Sequence, residues 1–326
     1  MEEKNKHTNH LDERNVTSPG VELSMLETIV EELCKSNNDM THFFQKGRQC
    51  HSLPSRDVIM DTIEDIRSVL FPGYFGNSEL TLKGMRFCVG STLDRILRTM
   101  QDQIKYGLCF VCEGDLSLDR CIEYDEKALS ITKSFLAKLP SVRRLLMTDV
   151  KAAYEGDPAA TSIYETIFCY PGVLAITNYR LAHELYVLRV PLIPRIITEY
   201  AHSITGIDIH PGAVIDESFF IDHGTGVVIG ETCIIGKNVR IYQGVTLGAK
   251  SFPLDDEGKP IKGIKRHPII EDNVIIYSGA TILGPVVIGK GSVIEGNVWL
   301  THSVPSRSRI TQMGAREKFF KEGEGI

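Results

Sequence analysis

The chain has 326 residues, of which 42% are hydrophobic and 24% charged, and this length suffices for two domains with buried cores. Its net charge of −6 argues against nucleic acid as the main partner. Charges or prolines interrupt every apolar stretch before it reaches the length of a membrane span, so no membrane segment is expected. The N-terminal residues lack the apolar core of a secretory signal. The 8 cysteines are scattered, so we expect reduced thiols and a cytoplasmic location.

The front half of the chain predicts an all-α domain over residues 21–204, after a polar segment, residues 1–20, that is expected to be disordered. Apolar stripes at helical spacing support this, for example Ile59, Ile63, Ile66 and Leu70. Ser91 and Ser141 are predicted to begin two of the helices as N-caps. Asp157, which precedes a proline, is predicted to cap the next helix.

The second half, residues 205–302, carries an aliphatic or small apolar residue at every sixth position. The first run is Ile209, Ile215, Ile221, Val227, Cys233, Val239 and Val245, and the second is Ile270, Ile276, Ile282, Ile288, Ile294 and Leu300. A period of six fits neither an amphipathic helix nor plain strand alternation, but it is typical of a parallel β-helix built from hexapeptide repeats. The sequence therefore predicts an α + β fold, in which a helical domain precedes this β-helix.

The two runs of the repeat are out of step, because 25 residues separate Val245 from Ile270. The polar and basic segment 248–268 lies in this gap, and we expect it to leave the β-helix as an extended loop beside the functional site. Residues 303–326 leave the repeat and end in Gly325-Ile326, which predicts a flexible C-terminal tail.

Several motifs in the chain together resemble one enzyme family. The matching stretches are Gly156-Asp157-Pro158-Ala159, Tyr179-Arg180-Leu181-Ala182-His183, Asp208-Ile209-His210-Pro211, Asp222-His223-Gly224-Thr225-Gly226, Gln243-Gly244-Val245-Thr246-Leu247-Gly248 and Arg266-His267-Pro268. This ordered set is similar to that of the serine O-acetyltransferases, which transfer acetyl from acetyl-CoA to L-serine in cysteine biosynthesis. The resemblance implies that the β-helix is left-handed.

The resemblance identifies His223 as the general base and Asp208 as its carboxylate partner. Transfer of acetyl to an alcohol needs a base to remove the hydroxyl proton, and an imidazole titrates in the suitable range. The separation of 15 residues is compatible with neighbouring coils of a β-helix. The alternative for His223 is a polar turn residue at a coil corner, although its motif favours catalysis.

The resemblance also implies a pocket for the two charged groups of serine. Arg266 offers a planar fork to the carboxylate, with His267 as a second donor, while Asp222 and Asp157 are candidates for the ammonium. Arg266 could instead be a solvated member of a basic loop. Asp157 could be a helix cap alone, and both of its roles could hold together.

For acetyl-CoA as co-substrate, the matching positions are Gly248, Ala249 and Ser278, where small residues admit the pantetheine arm. No metal is implied. The family further suggests a homotrimer or a dimer of trimers, and L-cysteine as a feedback inhibitor. Ile326 is implied to insert into O-acetylserine sulfhydrylase, against the alternative of a frayed terminus.

Three other functions are compatible with a hexapeptide β-helix. A sugar or drug O-acetyltransferase would keep His223 but would not need Arg266 and Asp157. A β-helical carbonic anhydrase would need three converging histidines, for which the candidates are His210, His223, His267 and His302. A non-catalytic scaffold would only present the tail. The motifs favour serine acetyl transfer over all three.

Overall fold

A computed structural model of the chain describes residues 19–34, 53–76, 81–111, 118–251 and 253–312. The chain divides into two compact units, residues 1–51 and 52–326. The described part of the first unit is one helix, α1 (Pro19–Cys34), which has exposed apolar side chains at Leu26, Val30 and Leu33. Most of the segment 1–20 that was expected to be disordered lies outside the described residues.

The second unit begins with helices, as the apolar spacing predicts. They are α2 (Arg56–Leu70), α3 (Leu82–Phe110), α4 (Leu118–Gly156), α5 (Ile163–Cys169), α6 (Pro171–Val187) and α7 (Ile193–Thr205). The predicted stripe of α2 is buried at Ile59, Ile63 and Ile66. Among the described helices, none has both the length and the apolar character needed to cross a membrane.

Two predicted helix starts are wrong. Ser91 lies inside α3, whose N-cap is Thr81, and its hydroxyl donates to the carbonyl of Cys88. Ser141 lies inside α4, where its hydroxyl donates to the carbonyl of Lys138. Both serines bond back to the preceding helical turn, an alternative to capping that sequence spacing does not distinguish.

The described residues after α7 form a parallel β-helix, as the hexads predict, and it is left-handed, as the resemblance implies. Its short strands are β1 (Asp208–Ile209), β2 (Val214–Ile215), β3 (Phe220–Ile221), β4 (Val228–Ile229), β5 (Ile234–Ile235), β6 (Arg240–Ile241), β7 (Thr246–Gly248), β8 (Ile269–Ile270), β9 (Ile275–Ile276), β10 (Thr281–Leu283), β11 (Val287–Ile288), β12 (Val293–Ile294), β13 (Trp299–Leu300) and β14 (Arg309–Ile310). Strand β14 continues the repeat past the expected end at residue 302.

The strands form three parallel sheets that enclose one apolar core. Sheet 1 has the order β1-β4-β7-β10-β13, sheet 2 has β11-β8-β5-β2, and sheet 3 has β14-β12-β9-β6-β3. Each coil visits the three sheets in turn, so three corners run along the β-helix. We call the corner from sheet 3 to sheet 1 the acidic corner, which includes residues 222–226 and 277–279. The corner from sheet 1 to sheet 2, which includes residues 230–232 and 266–268, is the arginine corner.

The first coil is longer than the next complete coil. Asp208 is paired with Val228, 20 residues later, whereas Val228 is paired with Thr246 after 18. The single phase expected for the first run is therefore wrong after Ile221, because Ile209 stacks on Ile229 rather than on Val227. The later members of the first run are nevertheless buried. They form a second row of inward-facing side chains, each two residues before the buried residue of the next strand, namely Val227, Cys233, Val239 and Val245. The extra residues lie in the turn 222–226.

A buried ion pair joins the helices to the first coil. The guanidinium of Arg180 on α6 donates from Nε and Nη2 to the carboxylate of Asp149 on α4, at 2.6 and 2.9 Å. It also donates to the carbonyls of Ile215 and Asp216, and Asp149 accepts the backbone N–H of Phe219. Because both side chains are at most 4% exposed, this network fixes the chain that enters β3.

Candidate active site

The acidic corner brings together three of the predicted site residues, Asp157, Asp222 and His223. The imidazole of His223 is 74% exposed, and its Nε2 lies 3.9 Å from Oδ1 of Asp222. Asp157 lies close enough for the charge of His223 to help lower its pKa. A base with an accessible ring and two neighbouring carboxylates therefore faces solvent at this corner.

The backbone of the corner has a conformation that few residues adopt. His223 has a φ of 56°, in the left-handed region, and Gly224 follows with a φ of 87°. A Cβ on Gly224 would lie 2.4 Å from Cδ1 of Ile207, so no other residue fits there without a shift of the core. The longer first coil thus ends in a tight turn that projects His223 outward.

Helix α6 packs directly against the strand that precedes this turn. A Cβ on Gly172 would lie 2.5 Å from the carbonyl oxygen of Ile221, so a glycine is needed for this close approach. Tyr170, which precedes the first residue of α6, is the single link between α5 and α6. Its hydroxyl donates to Oδ2 of Asp157 at 2.5 Å. Sequence reasoning missed Tyr170, since no spacing rule connects it with Asp157.

Asp157 does not cap a helix, so that part of the prediction is wrong. Residues 157–162 form a turn, and α5 begins only at Ile163 with Ser162 as its N-cap. Oδ1 of Asp157 accepts the backbone N–H of Ala159 at 2.8 Å, which is an Asx turn. The hydrogen bonds from Tyr170 and then from Ala159 lower the pKa of Asp157 below its ordinary value.

In the single chain, Asp208 does not lie beside its predicted partner, His223. Its carboxylate is grouped with Glu199 and His202, whose ligand atoms all lie within 4.8 Å of one another. Within the described residues no hydrogen bond or ion pair joins Asp208 to His223. Its role as the partner of the base therefore stays a prediction. The group could hold a cation, although Arg195 already donates to Glu199.

The arginine corner holds the other two predicted serine-binding residues, Arg266 and His267. Nη2 of Arg266 donates to Oε2 of Glu231 at 2.6 Å, and the hydroxyl of Tyr186 donates to Oε1 of Glu231 at 3.1 Å. Burial raises the pKa of Glu231, but these hydrogen bonds hold that pKa below its ordinary value. The guanidinium is thus oriented by an ionised carboxylate at a different corner from His223.

Comparisons with known proteins agree with this architecture. The family model of the bacterial transferase hexapeptide (six repeats) matches residues 267–302, and that of the hexapeptide repeat of succinyl-transferase matches residues 226–252. A plasmid-encoded serine acetyltransferase of Synechococcus elongatus is 51% identical over 303 residues, which cover 92% of this chain and 95% of that protein. The chain belongs to the serine acetyltransferase family.

Other members of the serine acetyltransferase family extend the comparison. The enzyme of Bacillus subtilis is 45% identical over 173 residues, or 53% of this chain and 76% of that protein. Serine acetyltransferase 1 of Entamoeba histolytica, solved with L-cysteine, is 38% identical with a TM-score of 0.66, covering 77% of this chain and 86% of that one. The Brucella abortus enzyme, solved with coenzyme A, is 28% identical with a TM-score of 0.51, covering 77% and 93%.

The positions that match the family's coenzyme A contacts are also divided between the two corners. Gly248 ends β7, and Ala249 follows it at the side of the arginine corner. Ser278 lies at the acidic corner, where its carbonyl accepts the backbone N–H of Asn297 at 2.9 Å. Beside it, the rings of Tyr277 and Tyr242 stack with centroids 5.1 Å apart. In one chain, these small residues lie at opposite ends of the paired strands β7 and β10.

The loop after Ala249 leaves the β-helix, as the gap between the two runs predicts. Its tip is a turn in which Oδ1 of Asp255 accepts the backbone N–H groups of Glu257 and Lys259. A bridge between Leu254 and Pro260 closes the turn. The loop returns to the β-helix at the arginine corner, so it lies beside Arg266.

The imidazole of His267 is held in one tautomer. Its Nδ1 lies 3.1 Å from the backbone nitrogen of Thr232, which donates to it, and 2.9 Å from the hydroxyl of the same residue. Because Nδ1 accepts, the ring proton lies on Nε2, which can donate to a ligand. Burial, and then the charge of Arg266, lower the pKa of His267 to about 4.

We predict that His267 stays neutral throughout the physiological pH range. Its C2 proton signal in NMR should titrate near pH 4, and His267→Asn should remove that signal. Since the folded-state pKa is depressed, the contribution of this residue to the free energy of unfolding is complete above pH ~6.5 and decreases as the pH falls toward 4. A His267 signal that titrates near pH 6.5 would contradict the assignment.

The metal-enzyme alternative finds no support in the single chain. Within the described ranges, the side chains that could together hold a metal ion are those of Glu199, His202 and Asp208. This group contains one histidine. His223 and His267 lie at two different corners. A zinc site of three histidines, as in the β-helical carbonic anhydrases, is therefore not present within one described chain.

Proposed function

We propose that this chain is a serine O-acetyltransferase, which transfers acetyl from acetyl-CoA to the hydroxyl of L-serine and gives O-acetyl-L-serine and CoA, the first step of cysteine biosynthesis. The observation that carries the proposal is the acidic corner, where the exposed imidazole of His223 lies with the carboxylates of Asp157 and Asp222. A base beside two anions suits an acceptor that has both a hydroxyl and an ammonium group.

In the proposed reaction His223 acts as the general base. It removes the hydroxyl proton of serine while the oxygen attacks the thioester carbonyl, and the resulting imidazolium returns the proton to the departing CoA sulfur. Asp222 lies nearest to the ring and can stabilise this imidazolium, with Nε2 and Oδ1 3.9 Å apart. Asp208 stays a prediction as the residue that orients the base, because it lies with Glu199 and His202 in the single chain.

The two charged ends of serine require both corners. Asp157 and Asp222 accept the ammonium at the acidic corner, whereas Arg266 and His267 bind the carboxylate. Since the latter two lie at the arginine corner of the same chain, we propose that a second copy brings its arginine corner to the acidic corner of the first. In this arrangement the carboxylates of one copy and the guanidinium of Arg266 from the other would face the two oppositely charged groups of one serine. A homotrimer, alone or paired as a dimer of trimers, repeats the contact in a closed ring.

Acetyl-CoA is proposed to lie between the same two copies. Gly248 and Ala249 accompany Arg266 at the arginine corner, while Ser278 accompanies His223 at the acidic corner. The residues proposed to contact the coenzyme are thus divided between the two corners in the same way as the residues proposed to bind serine. The coenzyme A complex of the Brucella abortus relative supports this ligand class.

The acceptor is tested by CoA release from acetyl-CoA with a panel of hydroxyl compounds. The proposal predicts turnover with L-serine, and little with D-serine or with a sugar such as galactoside. Turnover only with the sugar would keep the β-helix and His223 as base but would replace the serine pocket. If the correctly assembled protein turns over none of these acceptors, the result would favour the alternative of a non-catalytic scaffold.

L-cysteine is proposed as a feedback inhibitor that competes with L-serine. It carries the same ammonium and carboxylate, and a relative from Entamoeba histolytica was solved in complex with it. The described residues Cys88, Cys169 and Cys233 form no disulfide, which fits the reducing cytoplasm in which we propose that the enzyme acts.

We further predict that the tail binds O-acetylserine sulfhydrylase through Ile326, which lies outside the described residues. Deletion of Ile326 should abolish co-purification with that enzyme, because the carboxylate and the apolar side chain of the last residue would no longer reach its pocket. A chain with an intact tail and His223→Asn is the matched control and should bind normally. Unchanged binding after the deletion would contradict the prediction.

A further inference from the structure

Tyr170 has a backbone that is fixed from both sides. It is the C-cap of α5, and its N–H donates to the carbonyl of Thr166 at 3.4 Å. It is also the N-cap of α6, where its carbonyl accepts the N–H groups of Val173 and Leu174 at 3.1 and 3.2 Å. The following Pro171 restricts the link further. The phenol therefore extends from a rigid position between two helices.

The hydroxyl of Tyr170 lies among three carboxylates. It donates to Oδ2 of Asp157 at 2.5 Å, and the charges of Glu165 and Asp222 also act on it. Burial, followed by the hydrogen bond to Asp157, raises the pKa of Tyr170 above its ordinary value. The phenol therefore keeps its proton, and the hydrogen bond has one direction, from tyrosine to carboxylate.

The two oxygens of Asp157 thus each have a fixed donor. Oδ1 accepts the N–H of Ala159, and Oδ2 accepts the phenol. Both hydrogen bonds favour the ionised form, which opposes the repulsion that nearby carboxylates exert on one another. Without the phenol, the side chain of Asp157 could rotate away from Asp222 and would lose its alignment with that second anion.

We infer that Tyr170 is a positioning residue that makes the site selective for acceptors bearing an ammonium group, by holding the Asp157 carboxylate toward the acidic corner. This inference rests on the proposed function, in which Asp157 binds the ammonium of serine. Tyr170 does not touch the reacting atoms. It acts through Asp157, so its effect depends on that carboxylate and on the ammonium that the carboxylate binds.

The test is Tyr170→Phe, assayed with L-serine and with 3-hydroxypropanoate, which has the hydroxyl and carboxylate of serine but no ammonium. The variant should raise KM for L-serine about tenfold to a hundredfold, the range expected for a lost hydrogen bond to a charged group, with a smaller change in kcat. Its kcat/KM for 3-hydroxypropanoate and its KM for acetyl-CoA should stay unchanged.

Tyr164→Phe is the matched control. Tyr164 lies on α5, is 67% exposed and stacks on Tyr74 at 5.9 Å, so removal of its hydroxyl should change neither acceptor. A second arm introduces Tyr170→Phe into an Asp157→Asn background. If Tyr170 acts through Asp157, it should have no further effect on KM for L-serine there.

The outcomes separate this inference from the proposed function. If the parent protein does not acetylate L-serine, the proposed function fails before any variant is compared. If the parent is active but Tyr170→Phe lowers kcat/KM equally for both acceptors, the inference is overturned, because a general structural defect would act in that way. Additive effects of Tyr170→Phe and Asp157→Asn would overturn it as well.

Discussion

His223→Asn should lower kcat for acetylation of L-serine by a factor on the order of a hundred to ten thousand, the usual contribution of a general base. Asparagine is chosen because His223 has a φ of 56°, which asparagine tolerates better than alanine does. With the side chain 74% exposed, the loss of packing is small. Steady-state CoA release measures kcat, and thermal unfolding verifies that the fold is kept.

His302→Asn provides the matched control. This exposed histidine follows β13, two coils further along the β-helix than Arg266, and its replacement should leave acetyl transfer unchanged. The same variant also tests the metal alternative, in which His302 was a candidate ligand. Retention of wild-type kcat by His223→Asn would show that the base is another group.

Asp149→Asn should lower the free energy of unfolding by about 3–5 kcal/mol, the usual cost of removing one partner from a buried ion pair. The substitution leaves the 4% exposed guanidinium of Arg180 without its counter-charge. Arg180 also donates to the carbonyls of Ile215 and Asp216. The substitution should therefore also destabilise the segment that enters β3 and the turn that carries His223. Chemical denaturation at fixed protein concentration measures the change.

The surface pair Arg95–Asp65 is the control for this effect. Its side chains are 59% and 31% exposed, so Asp65→Asn should cost only about 0–1 kcal/mol. Equal losses for Asp149→Asn and Asp65→Asn would contradict the view that the buried pair joins the helices to the β-helix.

The repeating part of the fold could be predicted from the sequence because a buried apolar residue returns at a short and regular spacing. Every coil must place an apolar side chain in a narrow core, so the hexads of the second run indicate strands such as β9 and β12 directly. The longer first coil could not be predicted in this way. Val227 and Ile229 are both apolar and both buried, and only strand pairing shows which of them stacks on Ile209.

The candidate site was predictable only where its residues share a motif. Asp222 and His223 are adjacent in the chain, whereas the contact of Tyr170 with Asp157 depends on the turn after α4 and the packing of α6 on β3. The cap assigned to Asp157 failed because a proline after an aspartate also suits a turn. The pair Arg180–Asp149 joins residues 31 apart on two helices, and local patterning does not reveal such a pairing.

We propose above that the acidic corner of one copy and the arginine corner of the next form one serine site. The direct measurement is the L-serine acetyltransferase activity of mixed oligomers, formed by co-expression of His223→Asn and Arg266→Ala chains that are each nearly inactive alone. Random assembly should restore about a quarter of the sites, since a site with both corners intact needs one chain of each kind in the right order. No recovery in oligomers verified to contain both chains would contradict the claim.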